Sequence, residues 1–330
     1  MVLQLSSKVD RGDYNSHVLS LDSDSNSLLS QFTENGIKVD SLGVQKNIFS
    51  IFSAIARLHS YLKRNQISII HAHLYHALVL AGLTKLISPS LKIIWSSHSA
   101  RQTSFIRNLM VFLMRPMRKH DILFMEDNKT WYTKKRYSII PNGVELQKTK
   151  HDLKKYDTFT FISVGRLEPV KNHQLLVNIF YKLSHINCNL LIVGSGPKYS
   201  SLKAAINKFN LDARIQLMGY KDDVGELIAK SHCFLLPSLR EGLPLVVLES
   251  ALCKVPIIAS SQSISDTLIG KDEGYVIDLT DFEKAMLEVI NNYEKARMKA
   301  ENFYSKVKQH YNLKSCIQSH ERLYSKIANE

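Results

Sequence analysis

This 330-residue chain has no run approaching the ~18 consecutive apolar residues that cross a bilayer as a helix. Its amino terminus also lacks the basic, apolar and small-residue succession of a secretory signal. Cysteine is scarce. Cys188, Cys233, Cys253 and Cys316 are scattered, with no C-x-x-C pair and no histidine spacing that suggests zinc. These absences speak against a membrane-spanning, disulfide-framed or zinc-organised protein, and a reduced, cytoplasmic chain is expected. Internal repeats and low-complexity tracts are missing too, as is any basic stripe interleaved with aromatics, so nucleic acid is not expected as a partner despite a formal net charge of +13.

What is present is an ordinary globular composition, 45% hydrophobic and 22% charged, in a chain longer than one core usually supports. Strand and helix patterns alternate from end to end. Strands are expected at His17–Leu21, Ile37–Leu42, Ser68–His71, Lys92–Ser96, Asp121–Phe124 and Tyr137–Ile140. The second half adds Thr158–Val164, Asn189–Val193, Arg214–Met218, His232–Leu236, Pro256–Ala259 and Tyr275–Ile277, with amphipathic helices between. Such alternation predicts an α/β protein with parallel, doubly wound sheets. The polar, lysine-rich stretch Glu145–Asp157 reads as a linker. Domains are therefore expected at 1–147 and 148–312, with a helix over 313–330 returning to the first.

Glu241 and Glu249 are the most informative pair of residues. The apolar run Cys233–Leu236 reads as a buried strand closed by Pro237-Ser238, and Pro244 suits the first turn of a new helix. Glu241 then lies at the lip of a strand-to-helix turn and Glu249 inside the helix. Seven helical residues advance roughly 10 Å, about the reach from a sugar across a diphosphate to a ribose, and the free amides at the helix start favour an anion between them. Taken alone the pair is weak, since a helix Glu is usually a solvated charge and this spacing arises by chance. Upstream, however, Phe159–Val164 runs into Gly165-Arg166-Leu-Glu-Pro-Val-Lys171, which places two cations in another such loop. Open α/β sheets bind ligands at the carboxyl ends of their strands, so both loops belong to one crevice.

With Ile139–Val144, Val164–His173, Leu191–Pro197, Leu217–Tyr220 and Leu236–Glu249 in order and at fitting spacing, the chain resembles glycosyltransferase family 4. The resemblance implies a GT-B fold, two Rossmann-like domains facing across a cleft. It also implies hexosyl transfer from a UDP- or GDP-sugar, with retention at the anomeric carbon, to a glycan or lipid-linked acceptor. The setting would be bacterial surface polysaccharide assembly, in lipopolysaccharide, O-antigen or capsule. Arg166 and Lys171 would bind the donor diphosphate, Glu241 the sugar hydroxyls and Glu249 the ribose, with His98 either reaching the donor sugar or serving as a structural cap. Gly194 and Gly196 would let backbone approach the nucleotide, Tyr220 would border the base, the helix-start amides near Leu245 and Val246 would stabilise the leaving diphosphate, and Gly165, Gly242 and Leu243 would also belong to the donor site. Fixed cations and dipoles replace a metal in this family, so neither metal nor cofactor is expected. A sugar-nucleotide epimerase or hydrolase of the same fold, or a non-catalytic binder, remain the alternatives.

The first half departs from the family. Met1–Gly12 looks like the family's first helix, without the strand and Gly-rich loop that precede it. Because that strand is central, either the native chain begins upstream or the product folds poorly. His71, His73 and His76 follow an expected strand; His71 reads as structural, and no third ligand accompanies His73 and His76. Residues 1–150 hold 20 Lys and Arg against 10 Asp and Glu. Within them Arg101–His120 combines Arg101, Arg107, Arg115, Arg118 and Lys119 with the apolar run Leu109–Met114, which suggests an interfacial helix and peripheral contact with an anionic membrane; a core helix with solvated basic ends is the alternative.

Overall fold

The computed structural model describes residues 1–21, 26–45, 47–97, 104–146 and 153–330. They form two α/β units, one of residues 1–142 with 314–330, the other of residues 143–313. The division falls ahead of the expected 147/148 boundary. Val144 bridges to Asn312, donating to the Tyr311 carbonyl at 2.8 Å, and a Cβ on Gly143 would collide with the Leu313 backbone. Each of the twelve expected strands is present within two residues of its expected bounds.

The first unit runs α1 (Val2–Lys8), β1 (Val18–Ser20), α2 (Asn26–Glu34), β2 (Val39–Ser41), α3 (Ile48–Arg64), β3 (Ile69–His73), α4 (Leu74–Ile87), β4 (Lys92–Ser96), α5 (Phe105–Leu113), β5 (His120–Leu123) and β6 (Tyr137–Ile139). All its pairings are parallel, but its strands make two sheets, β1-β2 and β3-β4-β5-β6. Alternation along β4 explains the layers. Ile93 and Trp95 join a core with α3 and α4, whereas Ile94 points the other way and packs with Ile122, Ile140 and the Cys316, Leu323 and Ile327 side chains of a carboxyl-terminal helix. In α3 the Asn47 side chain caps the start by accepting from the Ser50 amide at 2.7 Å, and Ala54, Leu58 and Leu62, four apart, form its buried stripe.

Arg118 was expected to join a surface basic cluster. Instead its side chain is wholly buried, donating to Asp121 at 2.9 Å and to the Tyr132 carbonyl at 2.7 Å, with the guanidinium 4.8 Å from the centre of the Trp95 ring. Lys119 pairs with Glu330 at 3.0 Å. The expected helical stretch 101–120 is thus shorter. Among the described residues it is α5, a single 3-10 turn over Arg115–Met117, and then β5.

The second unit is one six-stranded parallel sheet. It comprises β7 (Phe159–Val164), α6 (His173–Lys182), β8 (Cys188–Val193), α7 (Tyr199–Lys208), β9 (Ile215–Gly219), α8 (Gly225–Lys230), β10 (Cys233–Leu236), α9 (Leu245–Leu252), β11 (Ile257–Ser260), β12 (Tyr275–Ile277), α10 (Phe282–Asn291) and α11 (Tyr293–His310). The order β9-β8-β7-β10-β11-β12 reverses between β7 and β10. A doubly wound sheet opens its ligand crevice at such a switch point. α12 (Leu313–Ala328) follows and packs on the first unit from Lys314 onward. No helix among the described residues is long and apolar enough to cross a membrane.

Candidate functional site

The loops that leave β7 and β10 meet at the switch point. After β7 the chain turns through Pro169–Lys171, and Asn172, in the left-handed region at φ 54°, redirects it into α6. His173 opens that helix fully buried, and burial, with help from Lys171, lowers its pKa to about 4. Leu239 donates its amide to the Val170 carbonyl at 2.8 Å and so fastens the second loop to the first. Lys171 Nζ then lies 2.6 Å from Glu241 Oε1, and the Ser238 hydroxyl donates to the same oxygen at 2.6 Å. Ser260 steadies Ser238 by donating to its carbonyl. The structure therefore joins two of the sequence candidates, Lys171 and Glu241, across seventy residues.

Arg166 behaves differently. Its side chain is exposed and pairs with Glu168 at 3.1 Å. Sequence reading missed both Glu168 and Ser238, although each sits inside a quoted motif, two residues after Arg166 and three before Glu241.

Gly194 and Gly196 have φ of 143° and 156°. A Cβ at 194 would fall on the Gly165 carbonyl, and one at 196 would come within 2.7 Å of the Leu167 oxygen. The glycines thus allow two loops to touch backbone to backbone, with Leu167 donating to the Ser195 carbonyl and Lys198 to that of Leu167, both at 2.9 Å. A Cβ on Gly165 would press on the Lys171 stem at 3.3 Å.

Helix α9 starts just after Pro244, so the orphan amides of its first turn include those of Leu245 and Val246. Gly242 is half-buried and Leu243 buried. Glu249, within α9, has its carboxyl pKa raised by burial and then by Asp223, and it has no side-chain partner among the described residues. Tyr220 is exposed after β9, its hydroxyl bonded to Asp222. His98 lies outside the described residues. In the first unit His71 bonds the Tyr324 hydroxyl, which ties α12 to β3, and Ser96 Oγ, each at 2.7 Å, and its ring lies 4.1 Å from that of His73. No group of three His, Cys, Asp or Glu among the described residues could hold a metal, and Asp22-Ser-Asp24 lies outside them.

Family profiles cover this framework almost end to end, Glycosyltransferase Family 4 over residues 1–148 and Glycosyl transferases group 1 over residues 145–309. The chain belongs to the group 1 glycosyltransferases. This group 1 glycosyltransferase is 34% identical over 167 residues to the Escherichia coli UDP-Gal:alpha-D-GlcNAc-diphosphoundecaprenol alpha-1,3-galactosyltransferase, 45% of this chain and 43% of that enzyme. It is 26% identical over 309 residues to the gpi3 subunit of the phosphatidylinositol N-acetylglucosaminyltransferase of Schizosaccharomyces pombe, 85% of this chain and 66% of that protein. The match thus spans less than half of the E. coli enzyme. Anabaena HepE, solved with UDP-glucose, superposes with a TM-score of 0.83 at 15% identity over 98% of this chain and 96% of its own. The transferase accordingly has the GT-B fold.

Proposed function

We propose that this transferase moves a hexosyl group from a UDP-sugar to a lipid-linked glycan acceptor in surface polysaccharide assembly, with retention at the anomeric carbon. The observation that carries the reading is the Lys171–Glu241 pair at the switch point, with Glu249 further along α9. An ammonium has three donors, and Lys171 gives one to Glu241, so two stay available to phosphate oxygens. The interactions at Glu241 converge on Oε1, which leaves Oε2 to accept from sugar hydroxyls. Lys171, Arg166 and the first amides of α9 would stabilise the charge that grows on the departing diphosphate. Glu249 would accept from the ribose hydroxyls. Fixed cations and helix amides make a metal unnecessary, and His98 would reach the donor sugar. UDP is favoured over GDP because HepE is solved with UDP-glucose and the E. coli relative's name specifies UDP-Gal. That name also specifies a diphosphoundecaprenol acceptor, which supports the lipid-linked class.

Calorimetric titration with UDP and GDP, followed by transfer from labelled UDP-hexoses to a synthetic polyprenyl-diphosphate-GlcNAc, tests the reading. UDP binding and an α-linked product are expected. Release of free sugar at the same rate with and without acceptor would make the protein a hydrolase instead, and no nucleotide binding would remove the reading altogether.

A further inference from the structure

Helix α5 turns its largest apolar side chains outward. Phe105, Ile106, Leu109, Phe112 and Leu113 follow i, i+1, i+4, i+7, i+8 spacing and share one face. Phe105 and Ile106 are 73% and 70% exposed, while Val111 on the opposite side is 0% exposed. Trp131, 55% exposed, extends the face with its ring 5.2 Å from that of Phe112. An open groove of about 470 Å³ continues from Phe112 and Leu113 past Pro116, rimmed by Arg115, Lys134, Lys135 and Arg136.

The cations around this face divide by partner. Arg136 is paired with Glu330, and the Lys134 ammonium donates inward to the Arg115 and Arg118 carbonyls. Arg107, Arg115 and Lys135 have no ion-pair partner among the described residues. An exposed apolar face with an aromatic at its edge and unpaired cations beside it matches the headgroup boundary of an anionic bilayer, apolar atoms in and cations at the phosphates. The unit that carries it has 21 Lys and Arg against 11 Asp and Glu, whereas residues 143–313 have 22 against 19, so the long-range attraction resides in the same unit.

We propose that the outward face of α5 with Trp131 docks this protein on an anionic membrane surface, Arg107, Arg115 and Lys135 engaging lipid phosphates. Trp131 is its own reporter. The other tryptophan, Trp95, is buried, so a blue shift of emission and quenching by brominated phosphatidylglycerol would come from residue 131. The full chain should sediment with phosphatidylglycerol vesicles and far less with phosphatidylcholine vesicles. Arg115→Ser with Lys135→Ser should weaken vesicle binding about fivefold per cation removed. Phe105→Ser with Phe112→Ser should weaken it at least tenfold and abolish the blue shift. Phe105, Phe112 and Lys135 are exposed and Arg115 is half-buried without an ion-pair partner among the described residues, so circular dichroism and UDP affinity should stay unchanged, which separates this surface from the donor site. Equal binding to neutral and anionic vesicles, or vesicle binding untouched by the Phe substitutions, would overturn the proposal. So would a concentration-dependent dimer that the Phe substitutions dissolve, because the face would then join two copies of the chain.

Discussion

Lys171 Nζ and Glu241 Oε1 are 2.6 Å apart, with Lys171 one-fifth and Glu241 about one-eighth exposed, so the pair is held at the rim of the second unit's sheet rather than free in solvent. If Lys171 also serves phosphate, Lys171→Met should weaken UDP binding by about 1.5–3 kcal/mol, the worth of hydrogen bonds to a charged group. Glu241→Gln should leave UDP affinity nearly intact and reduce turnover. Calorimetry and initial rates, measured on both variants, check the contrast; an unchanged Kd in Lys171→Met would take this lysine out of the phosphate site.

Glu249 carries a pH dependence with a definite sign. Burial raises its folded-state pKa above the ordinary 4.5, so the neutral form contributes stability that is complete below that value and lost as pH rises through the folded pKa. Glu249→Gln removes that loss. The variant should melt higher than wild type, with the gap opening above pH 4.5 and then levelling, and should bind UDP more weakly. Thermal melts across that range decide it, and a gap independent of pH would mean that the carboxyl is not strained by burial.

The strand positions were legible in the sequence because buried parallel strands are short apolar runs, as in Cys233–Leu236 and Lys92–Ser96. Their edges shifted by a residue or two where polar ends such as His120 join the ladder. The site was legible as a set of loops, since motifs fix which residues flank a strand end. Its pairings were not: that Lys171 meets Glu241, or that Arg166 meets Glu168, depends on side-chain rotamers and on a crossing between loops seventy residues apart. Periodicity gave α5 an apolar face but could not say whether it points to the core, and it grouped Arg118 with solvent cations because burial with Asp121 leaves no mark in composition.

The Arg118–Asp121 pair should be costly to break. Burial pushes the Asp121 carboxyl up from its ordinary value against the pull of Arg118. Arg118→Met leaves that carboxylate unpaired and should destabilise the first unit by about 3–5 kcal/mol, while Arg118→Met with Asp121→Leu should recover much of the loss. Chemical denaturation followed by Trp95 emission checks this, since the guanidinium stacks on that ring. A double variant no better than the single would show that the pair is not where the cost lies.

Exchange should be uneven in the first unit. β1 pairs with β2 over three residues only, whereas β3 pairs with β4 over five and sits in a four-stranded sheet. Amides of Val18–Ser20 should therefore exchange well before those of Lys92–Ser96 in hydrogen-exchange mass spectrometry. Comparable protection in both would mean that β1 is held by more than its ladder.

The loops of the second unit are laced by main-chain bonds, Leu239 to Val170, Leu167 to Ser195 and Gly194 to Gly219. None of these bonds consults a side chain. The scaffold can therefore keep its shape while an exposed loop residue such as Tyr220 is exchanged, so the chemistry the loops present can be re-engineered by point substitution without redesigning the backbone. The same lacing makes the loop glycines the wrong place to begin, because any side chain at 194 or 196 wedges the stitches apart.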